Sequence, residues 1–517
     1  MSTSTVDELR AMAAQLAQLA ATLPDGAPER ALCAQGEAQA LSLLSGRLWR
    51  GGDLAGAEAA LDRALALAPT RARRIRRALL LPAVPASRAE ILAARTTLRD
   101  RLIALVGDPS PPIDAAEIGW TLFLLAYHAE LDNRDLHRLF HLVCAQADPA
   151  LPWTAPHVRA PRRAGRPRVG ILSWHFVPHT IAQLFGGLLE ALDGDRFDIT
   201  ILGFDGRTAA LDSLDLAGKR VLVLPASLTE ARQQIAALEL DLLLYLDLGM
   251  DFFTLFLAQA RLARTQAVTW GHPDSTGLDS IDAFLSPACM EPDDGAAQYS
   301  ERLVPLPGLL AVYPRPIPPA PGKSRAALGL PERGFLYLCP QTPYKFHPDF
   351  DTALIRILRG VAGSHLILTA GWEQAAMQRV ADRLLAQAPD LAQRLHILGP
   401  LSRPDFLTLF QHAGLVLDPF HYSGGNTALE AFACGSPILT WPGAAMRARH
   451  TAGFYRLMEI KELTARDHDH YVDQAILLGT TPQRLEELSH EILKRSAVLF
   501  NNHDSIPAFE DFIMDCL

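Results

Sequence analysis

The chain has 517 residues, too many for one ordinary hydrophobic core, so two or three domains are expected. Apolar residues make up 49% and charged residues 20%, an ordinary soluble composition, and a formal net charge of −9 argues against a protein that binds nucleic acid by neutralising phosphates. The N-terminus lacks a basic, apolar leader, and the apolar stretch 242–262 is broken by Asp247, Asp251 and Arg261, so no membrane insertion is expected and the cytoplasm is the expected location.

Residues 6 to about 150 read as helices, rich in Ala and Leu and free of β-branched runs. Within them, residues 46–69 look like the core of one tetratricopeptide repeat: helix, Gly-Gly-Asp turn, second helix, closing Pro69. The six cysteines are scattered without a C-x-x-C pair, which supports neither a zinc site nor a disulfide framework. A basic, proline-containing linker at 161–167 leads into a strand at 168–173, and strands and helices then alternate. Strands are predicted at 199–203, 221–224 and 242–246, with a strand-like run at 266–270. A proline-rich connector at 313–322 precedes a second alternating series, with strands at 335–339, 364–369, 395–398, 415–417 and 437–440. The expected class is α/β: an all-α N-terminal domain (1–160) with one tetratricopeptide-like repeat, a Rossmann-like domain (166–312), and a second Rossmann-like domain with C-terminal helices (323–517).

The most informative stretch is 421–430, His-Tyr-Ser-Gly-Gly-Asn-Thr-Ala-Leu-Glu, where an apolar strand turns into a helix. Unpaired N–H groups at a helix start suit a phosphate, so Ser423, Gly424, Gly425, Asn426 and Thr427 are candidates for a diphosphate cradle. Glu430, one turn further on, is in reach of a ribose. The competing reading is a capping box between Thr427 and Glu430 that only finishes the helix end. After the strand at 335–339 comes Pro-Gln341-Thr342-Pro-Tyr-Lys345, whose lysine would stand in the crevice and neutralise charge on a departing nucleoside diphosphate. Arg403 follows the next strand but one, in a loop that could frame a nucleobase. Pro442 and Gly443 make a turn with Arg447 and Arg449 in reach of a phosphate. The loop 271–277, with His272, Pro273, Ser275 and Thr276, offers polar groups suited to sugar hydroxyls. His175 and His179 are spaced like metal ligands, but Pro178 stands between them and no third ligand is evident, so no metal is expected.

From about residue 168 onward the chain resembles the O-GlcNAc transferase family, including the related bacterial protein N-glucosyltransferases. Four blocks carry the likeness: 169–180, 271–277, 341–347, and 418–430 with Trp441-Pro442-Gly443. The resemblance implies a GT-B fold behind a helical region. It also implies roles by position. Lys345 matches a lysine on the nucleotide diphosphate that turnover needs. His179 matches a histidine near the reacting centre, a base or a donor-positioning group. Gln341 and Thr342 lie in the block on uracil and phosphate. Asn426 and Thr427 match residues holding the diphosphate, and Glu430 the acidic residue on the ribose. The loop 271–277 matches one beside the donor sugar. There are departures. Trp174-His175 replaces a small–acidic pair, His272 stands where many members have tyrosine, and Pro404 stands at a uracil-contacting lysine, with Arg403 adjacent.

The expected activity is therefore inverting, metal-independent transfer of GlcNAc or glucose from UDP-GlcNAc or UDP-glucose to a polypeptide side chain, Ser/Thr or Asn. The UDP-sugar serves as co-substrate with no further cofactor. The alternatives are a GT-B enzyme acting on a lipid or glycan, or a non-catalytic protein-binding scaffold.

Overall fold

The computed structural model describes residues 5–128 and 131–517. The helical front begins with the helix Val6–Thr22, started by a capping box in which Thr5 and Glu8 bond each other's backbone N–H groups. The helices Pro28–Arg50 and Leu54–Leu67 form a hairpin over the stretch read as tetratricopeptide-like. Gly52 makes its turn with φ of +80°, a conformation that favours glycine, and Asp53 caps the second helix through the Gly56 N–H. Thr70 and Ser87 cap the helices Arg71–Ala78 and Arg88–Leu105 in the same way.

The first sheet contains β1 (Arg168–Leu172), β2 (Asp198–Phe204), β3 (Arg220–Leu224), β4 (Leu242–Tyr245), β5 (Thr265–Thr269), β6 (Ala283–Pro287) and β7 (Arg302–Leu306). All pairs are parallel, in the order β3-β2-β1-β4-β5-β6-β7. The strands β1 and β4 are continuous apolar runs because helices cover both faces of a parallel sheet. The sequence reading contained β1 to β5 but not β6 and β7. Both end at or near a proline, Pro287 and Pro305, which reads as a break. In the fold Pro287 is the last residue of β6, and Pro305 lies on the edge strand β7, where a missing N–H is tolerated.

The second sheet contains β8 (Leu336–Cys339), β9 (His365–Thr369), β10 (Leu395–Leu398), β11 (Leu415–Leu417) and β12 (Ile438–Leu439), in the order β10-β9-β8-β11-β12, again all parallel. Two Rossmann-like sheets behind an all-α region make a GT-B fold. The C-terminal helix Ser505–Asp515 returns to the first sheet, contacting β7, and its Glu510 pairs with Arg196 of the loop before β2 at 2.8 Å.

The strand orders fix where a ligand can sit. In the first sheet the order reverses between β1 and β4, and in the second between β8 and β11. The loops after those strands diverge and open a crevice. Those four loops are 173–179, 246–251, 340–347 and 418–425.

Candidate active site

Lys345 sits on the glycine-rich loop. Its ammonium donates to the carbonyl of Ser423 at 3.0 Å and to Oε1 of Gln341 at 2.9 Å, and it lies over the Tyr422 ring, 4.7 Å from the centroid. Burial pushes its pKa down to about 8, opposed by the carboxylate of Asp418. Gln341 uses its Nε2 to bond Thr427 Oγ1 at 2.6 Å, so one amide ties the lysine to the helix start.

Asp418, buried at the end of β11, shapes the loop. It accepts from Ser423 Oγ at 2.6 Å, from the Gly424 N–H at 2.8 Å and from Thr440 Oγ1 at 2.7 Å. His421 adopts a left-handed backbone, φ +69°, and its Nε2 lies 3.0 Å from the Asp349 carboxylate. His347 contributes to the same cluster: its Nδ1 accepts from the Asp349 N–H. The ligand atoms of these three lie within 4.8 Å of one another, a spacing that a metal ion can bridge; here they are hydrogen-bonded among themselves.

The helix Asn426–Ala433 starts at Gly425 with no side-chain cap. The capping-box alternative is therefore not formed: Thr427 is taken by Gln341, and Glu430 pairs with Arg403 at 3.3 Å. Burial raises the Glu430 pKa, with Arg403 opposing. Asn426 accepts at Oδ1 from the hydroxyl of Tyr313, at the start of the connector, at 2.7 Å. The side chains thus form two bonded sets at the helix start, Lys345–Gln341–Thr427 and Arg403–Glu430–Asn426.

Other expected residues stand elsewhere. Thr342 turns to Glu373, 2.8 Å away. Arg449 donates from Nη1 to the carbonyl of Gly443 at 2.8 Å, closing its own Pro442-Gly443 turn. Ser275 and Thr276 are corrected more sharply. Both are buried, and both hydroxyls are consumed by Glu301, the Ser275 contact at 2.8 Å, so neither offers a free group to a sugar. Pro273 is buried in the same loop. His272 stays at the cleft wall, stacked on Phe123 with centroids 5.5 Å apart. Burial holds its pKa down to about 4. His179 caps the helix Thr180–Ala191, its Nδ1 accepting from the Ile181 N–H at 3.2 Å. Burial and then His175 push its pKa down to about 4.

Sequence reasoning missed His450. Its imidazole is buried near Gly425 and Trp270, beside the Ser423 backbone. Burial and then Lys345 push its pKa down to about 3, so it is neutral beside the loop. It sits on no motif, and only the fold brings it there. Tyr422 was read as part of the loop, but its stack on Tyr127 of the helical front, 4.6 Å between centroids, is equally invisible in sequence.

A helix start without a side-chain cap, a lysine bonded to its glycine loop and a crevice between two Rossmann-like sheets are features suited to holding a nucleotide diphosphate. Residues 321–506 match the model of glycosyl transferase family 41. Over 231 residues, 43% of this chain, it is 28% identical to a tomato (Solanum lycopersicum) protein named probable UDP-N-acetylglucosamine–peptide N-acetylglucosaminyltransferase SPINDLY, covering 24% of that protein. Over 257 residues, 48% of this chain, it is 24% identical to the UDP-glucose:protein N-beta-glucosyltransferase of Actinobacillus pleuropneumoniae serotype 7, covering 40% of it. The chain thus spans well under half the length of these relatives. The solved structure of a Thermobaculum terrenum O-GlcNAc transferase mutant superposes over the whole chain and 98% of its own, with TM-score 0.69 and 21% identity, and shares the fold. The second half of the chain thus resembles glycosyl transferase family 41, and the whole chain shares the fold of an O-GlcNAc transferase. Among the described residues no helix is long and apolar enough to cross a membrane.

Proposed function

We propose that the chain transfers a sugar, GlcNAc or glucose, from its UDP-sugar to a protein side chain, Ser/Thr or Asn, with inversion and without a metal ion. The observation that carries this reading is the 3.0 Å bond from Lys345 Nζ to the Ser423 carbonyl, which sets a buried cation on the glycine loop at an uncapped helix start. A diphosphate accepting the first N–H groups of the helix would meet that cation, and both stabilise the charge that develops as the sugar–phosphate bond breaks. Arg403 and Glu430 are then the pair nearest the nucleoside. His450, neutral and buried beside the glycine loop, is a further group for the donor. The names of the relatives, which specify UDP-sugar donors and peptide or protein acceptors, support the donor and acceptor class.

The test is turnover. The protein is incubated with UDP-GlcNAc and UDP-glucose, and donor hydrolysis and the intact mass of co-expressed proteins are followed. Lys345→Ala is expected to lower kcat by about a hundred- to a thousandfold while leaving the melting temperature near that of the wild type. A variant that turns over at the wild-type rate removes Lys345 from the mechanism.

A further inference from the structure

His175 and Asp247 form a hydrogen-bonded dyad on the first sheet's two switch-point loops, after β1 and β4. His175 Nδ1 lies 2.6 Å from Asp247 Oδ2. The same oxygen takes the Ser173 hydroxyl at 2.6 Å, and Ser173 Oγ accepts the His175 N–H at 2.8 Å, so both the ring and its backbone are held. Asp247 is 1% exposed, whereas the His175 ring borders a cavity of about 490 Å³. That cavity lies where all three parts of the molecule meet. Trp49, Trp120 and Phe123 come from the helical front, Trp174 and Phe252 from the first Rossmann-like half, and Tyr344, next to Lys345, from the second.

We propose that His175, oriented by Asp247, is the general base that activates the acceptor in this cavity. The inference rests on the transferase reading above and adds to it the residue and the wall from which the acceptor attacks. The tautomers decide between the two neighbouring histidines. The carboxylate of Asp247 accepts the Nδ1–H of His175, which leaves the lone pair on Nε2. His179 spends its Nδ1 lone pair on the Ile181 N–H, so its Nε2 carries a proton and cannot take another from a neutral acceptor. The rings stack 4.5 Å apart, so the two are alternatives for one region of space. The charge of a protonated His175 is met by Asp247. Burial works against that charge, but Asp247 outweighs it and raises the His175 pKa.

In the step, the acceptor oxygen or nitrogen forms a bond to the anomeric carbon with its lone pair. The anomeric carbon–phosphate oxygen bond breaks, and its electron pair leaves on the diphosphate beside Lys345. The acceptor proton passes to His175 Nε2 and is later released to water.

The test compares His175→Gln, His179→Gln and Asp247→Asn with the wild type, in acceptor glycosylation and in UDP binding across pH. The charged groups that can colour the profile are Asp247, Asp251, Arg207 and His179 around the ring, Arg50 and Glu373 on the opposite wall, and Lys345 on the diphosphate side, whose own loss of charge near pH 8 sets a falling limb. A base must be neutral, so the wild-type rate is expected to rise with pH through a limb above about 6.5. His175→Gln should lose about a hundredfold or more in rate and lose the limb, with UDP affinity and melting temperature unchanged. Asp247→Asn should shift the limb to lower pH, a readout that a purely structural role would not move. A His175→Gln enzyme that keeps the limb, or a His179→Gln enzyme that alone loses it, overturns the inference while leaving the transferase reading intact. A wild-type protein that turns over no UDP-sugar sinks both.

Discussion

Lys345 carries its charge into a buried position, and that cost is legible in its pKa. Burial lowers it to about 8, so above that pH the free protein loses the cation. On the proposed reading, a bound diphosphate would restore it by placing negative charge beside Nζ. Two consequences follow for binding. UDP affinity should fall as pH rises past about 8, and in that range binding should take up a proton, read as a calorimetric enthalpy that varies with the ionisation heat of the buffer. A proton uptake of zero above that pH would mean that the ammonium does not meet the phosphates. Gly424 tests the same contact through sterics. A Cβ there would lie 2.7 Å from Gln341 Nε2 and 2.8 Å from Thr427 Oγ1, the two atoms that bond each other across the loop. Because both obstructing atoms belong to side chains rather than backbone, and Gln341 can swing away, Gly424→Ala should fold. It should separate Gln341 from Thr427, loosen Lys345 and weaken UDP binding by about tenfold, or about 1.4 kcal/mol, in the same titration.

At the scale of elements, what the sequence revealed and what it hid have different physical causes. Parallel strands buried on both faces must be continuous apolar runs, so β8, β9 and β11 could be read within a residue or two, and with β8 and β11 the loops that hold Lys345 and Gly424. Periodicity says nothing about a strand that ends in proline, so β6 and β7 were missed. Nor does a loop's composition say which way its side chains turn. Ser275 and Thr276 look like hydroxyls waiting for a sugar. Glu301, 25 and 26 residues further on, takes both, because a buried carboxylate with those donors near it is cheaper bonded than bare. The histidine pair shows the same limit. The spacing of His175 and His179 raised and dismissed a metal. The partner that matters, Asp247, is 72 residues from His175 and arrives only because β4 lies beside β1.

For the whole molecule, the helical front is a wall of the cleft rather than an appendage. Tyr344 Oη donates to the Arg50 carbonyl at 3.1 Å, and the rings of Tyr127 and Tyr422 stack across the boundary. One buried carboxylate fastens all three parts. Asp274, in the loop after β5, accepts from Asn133 Nδ2 at 2.7 Å and contacts His137 at 3.3 Å, both on the helical front. It also takes Arg447 of the second half at 3.0 Å. Burial alone would raise its pKa, but Arg447 and then His137 hold it well below the usual carboxylate range. A carboxyl whose folded pKa is depressed contributes stability that is complete above its unfolded value and is lost as pH falls through the folded one. Asp274→Asn keeps the shape and removes the charge facing a buried guanidinium. It should destabilise the protein by about 3 kcal/mol at neutral pH. The difference between wild type and variant should then shrink as pH drops below about 4, where the unfolded aspartate begins to protonate. Urea-unfolding midpoints of the two proteins, measured from neutral to acid pH, test this directly. A gap that is absent at neutral pH, or constant into acid, would mean that the three parts are held by their apolar contacts and that Asp274 contributes no charge-dependent fastening.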